Sequence, residues 1–219
     1  DDVNQQEWAM GASYYGLRSF NSYFNPLPYR QFSEVYYHGF RGDGYFEILG
    51  GKYALCKACD TQTINGYKFY KDILDYKVYV SERALPRYFL IGNVAGANNN
   101  SMEDYMGWLG SFDFRTTAYV EKDSFPEVAS HIGSSGGELR CLTKEEKQTV
   151  NTLTVTANCG QKGLFVLNEY FTDSWKAELN GKPAKVFRVN FTQMGVLLDK
   201  GPNLIELRYS PTLFIVLLY

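Results

Sequence analysis

The sequence predicts a β-rich α+β fold, in which an N-terminal mixed α/β region precedes a C-terminal antiparallel β-sandwich of the jelly-roll kind. Aromatic residues make up 16% of the 219 residues, and aromatic side chains favour half-buried pleated strands. Short apolar runs recur at regular spacing through the second half of the chain, which is typical of a sandwich. Asn180-Gly181 lies between two such runs and predicts a tight hairpin, because type I′ turns need positive φ at both central residues.

The first half of the chain is predicted to combine short helices with strands. Aromatic residues at near-helical spacing predict an amphipathic helix over Tyr29–Phe40. Ser101 is a suitable N-cap for a second helix, Ser101–Leu109, with Glu103 and Asp104 in its first turn. The predicted strands of this half are Tyr45–Leu49, Lys52–Cys56, Gly66–Asp72, Lys77–Val80, Arg87–Ile91 and Thr116–Val120.

A domain boundary is predicted near residue 125. The segment Lys122–Gly137 lacks periodicity, and its last five residues, Gly133–Gly137, resemble a linker. The sequence therefore divides into a mixed α+β region, residues 1–125, and a sandwich, residues 126–211.

Beyond that boundary every predicted element is a strand. Lys144–Lys147 is predicted to be a charged turn between the first two of them. Alternation in Trp175–Leu179 sends Trp175, Ala177 and Leu179 to one apolar face, which favours a core position for the tryptophan. The predicted strands are Glu138–Thr143, Thr149–Asn158, Gly163–Phe171, Trp175–Leu179, Lys185–Val189, Met194–Leu198 and Leu204–Tyr209.

The apolar segment Thr212–Tyr219 follows the last predicted strand and Pro211. It is too short to span a bilayer, and no run of 18 apolar residues occurs elsewhere in these 219 residues. We interpret Thr212–Tyr219 as the beginning of a transmembrane helix. The polar start of the chain is unlike a signal peptide, so any targeting segment is expected to lie outside these residues.

The charge pattern argues against nucleic-acid binding. The formal net charge is −2, and Lys and Arg are spread along the chain without the basic patch or stripe that nucleic-acid binding requires.

Four cysteines leave three interpretations open: disulfides in an oxidising compartment, free structural thiols, or metal ligands. They are Cys56, Cys59, Cys141 and Cys159. The CxxC pair is followed by polar residues without helical periodicity, unlike a thioredoxin-type motif. The other pair has no zinc-ribbon spacing, so no metal site is assigned.

No residue is assigned a catalytic role, and no cofactor is expected. The candidate carboxylate pairs for a glycosidase are Glu169 with Asp173 and Asp113 with Glu121, but no spacing favours them. His38 and His131 are the two histidines, and neither lies near a nucleophile elbow.

Six residues are candidates for ligand contact. Tyrosines in the irregular N-terminal segment and a tryptophan can stack on sugar rings, whereas arginines suit bidentate contact with phosphate. The candidates are Tyr14, Tyr15, Tyr23, Arg87, Arg115 and Trp175.

Five segments in a fixed order resemble the C-terminal extracytoplasmic region of YfhO-like bacterial membrane proteins, which are polytopic proteins of the GT-C glycosyltransferase type. Two positions depart from the family pattern: Asp173-Ser174 precedes Trp175 where the family has Pro-Gly, and the CxxC is not typical. The segments are Tyr15–Tyr23, Leu49–Leu55, Leu85–Val94, Ser111–Glu121 and Gly163–Pro211.

The resemblance implies a location on the extracytoplasmic face of the bacterial cell membrane. It implies a parent protein that transfers sugar from a lipid-linked donor to a cell-envelope acceptor, with the catalytic acid in a membrane loop outside these residues. The chain would then be a non-catalytic domain that assists recognition of the acceptor glycan or caps the active site. Its expected partners are its own transmembrane domain, the membrane surface and a glycan or lipid-linked sugar.

Two alternatives of a different kind remain. The aromatic content and the predicted sandwich also fit a free-standing carbohydrate-binding module. A large exposed apolar patch would instead favour a domain that binds another envelope protein.

Overall fold

Strands dominate the computed structural model, which describes residues 45–48, 50–57, 63–64, 67–101, 104, 107, 113–133 and 139–211. These residues lie within one compact unit, Gly42–Tyr219. The helices are α1 (Tyr45–Ile48) and α2 (Phe125–Ile132). The strands of the first part are β1 (Tyr53–Lys57), β2 (Thr63–Ile64), β3 (Tyr67–Ile73), β4 (Tyr76–Val80), β5 (Tyr88–Ile91), β6 (Asn93–Gly96) and β7 (Thr117–Val120).

Eight further strands complete the fold, and the predicted β-rich α+β class is confirmed. These eight strands are β8 (Cys141–Gln148), β9 (Thr152–Cys159), β10 (Gly163–Leu167), β11 (Trp175–Leu179), β12 (Lys182–Ala184), β13 (Phe187–Val189), β14 (Gln193–Leu198) and β15 (Gly201–Tyr209). Strand β11 has the predicted bounds.

The described strands form three sheets. A four-stranded sheet has the order β1-β4-β3-β2, a six-stranded sheet has β5-β10-β14-β13-β7-β6, and a five-stranded sheet has β12-β11-β15-β9-β8. Strands β6 and β7 pair in parallel. The other described pairs are antiparallel.

The five-stranded and six-stranded sheets form the sandwich, with the main hydrophobic core between them. Inward-facing residues of β9, β11 and β15 meet those of β10 and β14 in one cluster, which includes Val155, Phe165, Trp175, Met194 and Ile205. Strands β9, β11 and β15 contribute alternate residues, as expected where one face packs and the other meets solvent.

The six-stranded sheet is covered on both faces. A second cluster on the side away from the main core joins Leu164 and Val166 of β10 to Val128 and Ile132 of α2. All five residues of β10, Gly163–Leu167, are therefore buried. Burial on both faces explains why this strand is a continuous apolar run rather than an alternating one.

Strands from both sides of residue 125 share this sheet, because β5 and β7 pair with β10 and β13. The segment 122–137, for which no regular structure was expected, contains α2. Pro126 lies in the first turn of this helix with Glu127, and Val128 and Ile132 are buried four residues apart. The apolar residues Phe125, Val128, Ala129 and Ile132 are spaced i, i+3, i+4 and i+7, which is the pattern of an amphipathic helix, so the expectation of no regular structure here was wrong.

Two predicted elements are wrong in type. Tyr45–Leu49 was predicted to be a strand, but residues 45–48 form α1. Lys144–Lys147 was predicted to be a turn, but these residues belong to β8, which has a bulge between Glu145 and Lys147. Because β8 is an edge strand exposed along seven of its eight residues, it lacks the apolar alternation that marks a half-buried strand.

The predicted strand Gly163–Phe171 is shorter than expected, since β10 ends at Leu167. The next residue, Asn168, belongs to a buried network of amide side chains. Gln193 donates from Nε2 to Ile48 O at 2.8 Å and to Asn168 Oδ1 at 2.7 Å. Its Oε1 accepts from Asn190 Nδ2 at 2.7 Å.

Asn190 extends this network to β7. Its Oδ1 accepts from Tyr119 N at 2.9 Å, and its own N–H donates to Tyr119 O at 2.7 Å. Asn190 and Phe191 both have positive φ, 47° and 66°, a conformation that is uncommon for an aromatic residue. The buried amides therefore hold the loop between β13 and β14 in a shape its own backbone does not favour.

Asp104 organises the loop before the second predicted helix. The Ser101 hydroxyl accepts a hydrogen bond from Asp104 N at 3.1 Å, in agreement with the predicted N-cap. Burial acts to raise the pKa of the Asp104 carboxyl, but hydrogen bonds from Tyr119, Asn98 and Asn99 outweigh it and lower the pKa below 3.8. Most of Ser101–Leu109 and all of Tyr29–Phe40 lie outside the described residues.

A disulfide joins Cys141 of β8 to Cys159 of β9. The two cysteines are directly opposite in the antiparallel register, with their Cα atoms 4.1 Å apart. The bond ties the edge strand to the sheet. Cys56 is also disulfide-bonded, and Cys59 lies outside the described residues.

Substitution of Gln193 by Leu is expected to lower the free energy of unfolding by about 3 kcal/mol, because buried polar groups would lose their partners. Urea denaturation followed by circular dichroism measures this. Gln148→Leu, at the exposed end of β8, is the matched control and should change stability little. Equal effects of the two substitutions would show that the amide network does not stabilise the fold.

Replacing both Cys141 and Cys159 by Ala is expected to lower the free energy of unfolding by about 3 kcal/mol, since an 18-residue separation restricts the unfolded chain appreciably. Denaturant titration of the folded variant measures the shift in midpoint. An unchanged midpoint would contradict the expectation.

Asp104→Asn is expected to destabilise the protein at neutral pH but not in acid. A carboxyl with a lowered folded-state pKa contributes stability above its unfolded pKa, and that contribution is lost as the pH falls through the folded value. The difference between wild type and variant should therefore shrink below about pH 4. Urea titrations at several pH values measure it, with Asp123→Asn, an exposed turn residue, as control. A difference that stays constant into acid would contradict this role of the carboxylate.

Candidate functional site

An open groove of about 470 Å³ runs along the edge of the sandwich beside β11 and β12. We call it the edge groove. Apolar residues form much of its lining, and polar side chains contribute the rest. Its residues are Phe171, Thr172, Asp173, Trp175, Lys176, Ala177, Glu178, Pro183, Ala184 and Val186.

A tight turn before β11 shapes one end of the edge groove. Trp175 N donates to Thr172 O at 3.1 Å, and Ser174 N donates to the Thr172 hydroxyl at 3.3 Å. Lys176 Nζ donates to Asp173 O at 2.9 Å. Asp173 and Lys176 both belong to the groove lining.

The hairpin between β11 and β12 shapes the other side. Asn180 and Gly181 have φ of 53° and 74°, so the hairpin predicted from this dipeptide is confirmed. The edge strand β12 has only three residues, and Pro183 has no N–H to offer to a further strand. The sheet therefore stops at β12, and the groove stays open beside it.

Trp175 belongs to the lining of the edge groove, but most of its surface is buried. It is 8% exposed and belongs to the main core, where its ring lies 5.5 Å from that of Tyr209. Phe171 is more accessible, and the Arg188 guanidinium lies 4.7 Å from the centre of its ring. Arg188 also pairs with Glu121 at 3.0 Å, which fixes the guanidinium over Phe171.

The groove chemistry suits a ligand with both apolar and hydroxyl faces. Binding sites for small molecules are concave and largely apolar, with a few placed polar groups that set orientation. Phe171, Ala184 and Val186 are apolar lining residues, and Asp173, Lys176 and Glu178 are the charged residues of the lining. A sugar presents this combination of C–H faces and hydroxyls.

The other ligand candidates lie elsewhere. Arg87 precedes β5, and its Nε donates to Glu169 Oε1 at 3.1 Å. Arg115, before β7, is exposed and contacts Glu82 O at 3.5 Å. Trp175 belongs to a different sheet from β5 and β7. The remaining candidates, Tyr14, Tyr15 and Tyr23, lie outside the described residues.

The carboxylates considered as glycosidase pairs have local partners. Glu169 pairs with Arg87, and Glu121 pairs with Arg188. Asp113 accepts a hydrogen bond from the backbone of Arg115 at 2.9 Å, and Asp173 lines the edge groove. These contacts account for three of the four as structural groups.

His131 lies on α2 rather than in a linker. Its Nε2 lies 2.9 Å from Leu198 O, so this nitrogen carries the proton in that hydrogen bond. Within the described ranges, no three His, Cys, Asp or Glu side chains are grouped to hold a metal ion.

Sequence analysis did not identify a second surface, on the four-stranded sheet. Tyr53 and Tyr70 are 58% and 56% exposed, and their ring centres are 6.5 Å apart. Aromatic residues and lysines are interleaved in β3, whose sequence is YKFYKDI, and this was a readable signal. It did not reveal which side of these strands meets solvent, because that depends on packing elsewhere.

The opposite side of this sheet is fixed by buried polar contacts. The Tyr67 hydroxyl donates to Gly51 O, and the Ser81 hydroxyl donates to the buried carboxylate of Glu47. Burial, with a smaller effect from the charge of Glu47, raises the pKa of Tyr67 to about 12. Tyr67 therefore stays a neutral donor across the physiological range.

Comparison of the chain with protein-family models, with curated proteins and with solved structures found no match. None of the helices in the described part of the chain has the length and apolar character needed to cross a bilayer. The chemistry and geometry of the described residues are therefore the basis for assigning a function.

Proposed function

We propose that this chain is a non-catalytic extracytoplasmic domain of a polytopic, glycosyltransferase-like membrane protein, in which it helps to recognise the acceptor glycan of cell-envelope glycosylation. The observation that carries this proposal is the edge groove. Its lining combines apolar residues such as Phe171 with the acidic residues Asp173 and Glu178, a composition that suits a sugar ligand.

The disulfide supports the location. Cys141 and Cys159 are bonded, and disulfides persist mainly in oxidising compartments outside the cytoplasm. A domain on the outer face of the membrane meets that condition.

The sequence resemblance supports the membrane context. In that context the parent protein carries the catalytic acid and the lipid-linked sugar in its membrane part, and this domain presents the acceptor. The complete reading frame tests this directly. If it encodes no membrane helices, the membrane part of the proposal fails and a free-standing carbohydrate-binding module remains.

Replacing both Asp173 and Glu178 by Ala is expected to weaken glycan binding on the order of 100-fold, because two hydrogen bonds to charged groups would be lost. An array of cell-envelope glycans identifies a ligand, and calorimetry then measures its affinity for each variant. Asp75→Ala with Glu145→Ala removes two exposed carboxylates elsewhere and should leave the affinity unchanged.

Two results would contradict the proposal. One is a wild-type protein that retains no glycan on the array. The other is binding that survives the groove substitutions but is lost in Tyr53→Ala with Tyr70→Ala, which would move the glycan site to the other surface.

A further inference from the structure

The exposed face of the four-stranded sheet combines apolar and basic side chains. We call it the tyrosine–lysine face. The register pairs Tyr53 with Val80 and Val80 with Lys68, and it pairs Leu55 with Val78 and Val78 with Lys71. Residues paired in this way across a sheet share one face.

Exposed apolar side chains are concentrated on this sheet. Eight large hydrophobic side chains are exposed among the described residues, and five of them belong to β1, β3 and the turn that follows β3. Leu55 is 57% exposed and Leu74, at that turn, is 89% exposed. A concentration of this kind marks an interaction surface rather than scattered surface residues.

Four exposed lysines accompany these side chains: Lys52, Lys57, Lys68 and Lys71. Three of them lie over tyrosine rings, with Nζ 5.4 to 6.0 Å from the ring centres. Their stems cover apolar surface while their charges reach solvent.

The described carboxylates of this sheet do not neutralise the face. Asp72 pairs with Lys77 at 3.3 Å, and both lie on the opposite face, since the register alternates. Asp75 lies in the turn between β3 and β4. The four lysines therefore outnumber the exposed carboxylates near the face, Asp75 and Glu82, although the whole chain has a formal net charge of −2.

We propose that the tyrosine–lysine face docks on an anionic lipid surface. Tyrosine rings are suited to the level of the headgroups, lysines attract anionic headgroups, and Leu55 and Ile73, which the register places on this face, would reach the acyl boundary.

Other partners fit less well. Protein interfaces are depleted in lysine, whereas this face carries four. A glycan would use the tyrosine rings but would gain little from exposed aliphatic side chains such as Leu55 and Ile73. The mixture of aromatic, aliphatic and basic side chains matches the lipid interface best.

The inference does not depend on glycan recognition by the edge groove, because a lipid vesicle contains no acceptor sugar. Co-sedimentation of the full chain with vesicles of phosphatidylglycerol and phosphatidylcholine tests it. Binding is expected to these vesicles and not to phosphatidylcholine alone. It should weaken as the salt concentration rises above about 0.1 M, where screening shortens the reach of the charges.

Charge removal gives the first matched pair of variants. Lys57→Ala with Lys71→Ala is expected to weaken vesicle binding roughly 30-fold, given the contribution of each lysine near an anionic surface. Lys147→Ala with Lys182→Ala removes two exposed lysines of the five-stranded sheet and should leave binding unchanged. Circular dichroism confirms that each variant is folded.

Removal of apolar surface gives the second pair. Leu55→Ala is expected to weaken binding about tenfold through lost apolar contact, whereas Leu142→Ala, which truncates the 82% exposed leucine of β8, should have no effect. In the variant Leu55→Trp, the fluorescence emission of the new tryptophan should shift to the blue on binding to vesicles if the side chain enters the lipid.

Three outcomes overturn the inference. The first is no binding to anionic vesicles, and the second is equal loss in the face and control variants. The third is self-association of the chain, measured by sedimentation velocity, that Leu55→Ala abolishes, since the face would then be a contact between copies. Glycan binding by the edge groove is measured in a separate assay, and its result is independent of vesicle binding.

Discussion

The fold depends on a buried chain of amide side chains that joins elements far apart in sequence. Gln193 binds the carbonyl of Ile48 on one side and the amides of Asn168 and Asn190 on the other. Asn190 then pairs with the backbone of Tyr119. Helix α1, the end of β10, the β13–β14 loop and β7 therefore meet at one point. Each of these polar groups would be costly to bury without its partner, so the network favours this single arrangement.

The six-stranded sheet carries much of this network, whereas the two proposed binding surfaces belong to the other two sheets. One face packs against the five-stranded sheet, whose edge forms the groove, and the other face packs against α2. The tyrosine–lysine face belongs to a third sheet, joined to α1 by the contacts of Glu47, Ser81 and the Leu85 amide. The chain can thus present two chemically different surfaces on separate sheets. One offers carboxylates and an apolar floor, and the other offers lysines and exposed rings.

Local signals in the sequence were sufficient to locate many of the strands along the chain. Trp175–Leu179 alternates clearly, and Asn180-Gly181 needs only its own backbone preference to predict the hairpin. The wrong predictions concern elements whose local sequence pattern does not match their environment in the fold. Helix α1 has four residues, and its sequence YFEI also fits a strand. Strand β8 is charged on both faces, so it lacks the periodicity of a half-buried strand. The edge groove depends on where β12 ends beside Phe171, and the tyrosine–lysine face depends on which side of β1 and β3 is covered. Neither property is contained in a short stretch of sequence.

The two borders of the five-stranded sheet limit how any other molecule can approach it. Strand β8 forms one border, with charged side chains, a bulge and a disulfide to its neighbour. Strand β12 forms the other, and it is short and contains Pro183. Charge, bulges, proline and short length all discourage a foreign strand from adding to a sheet. Neither border of this sheet therefore favours edge-to-edge joining with another chain, and recognition there is left to side chains rather than to backbone hydrogen bonds.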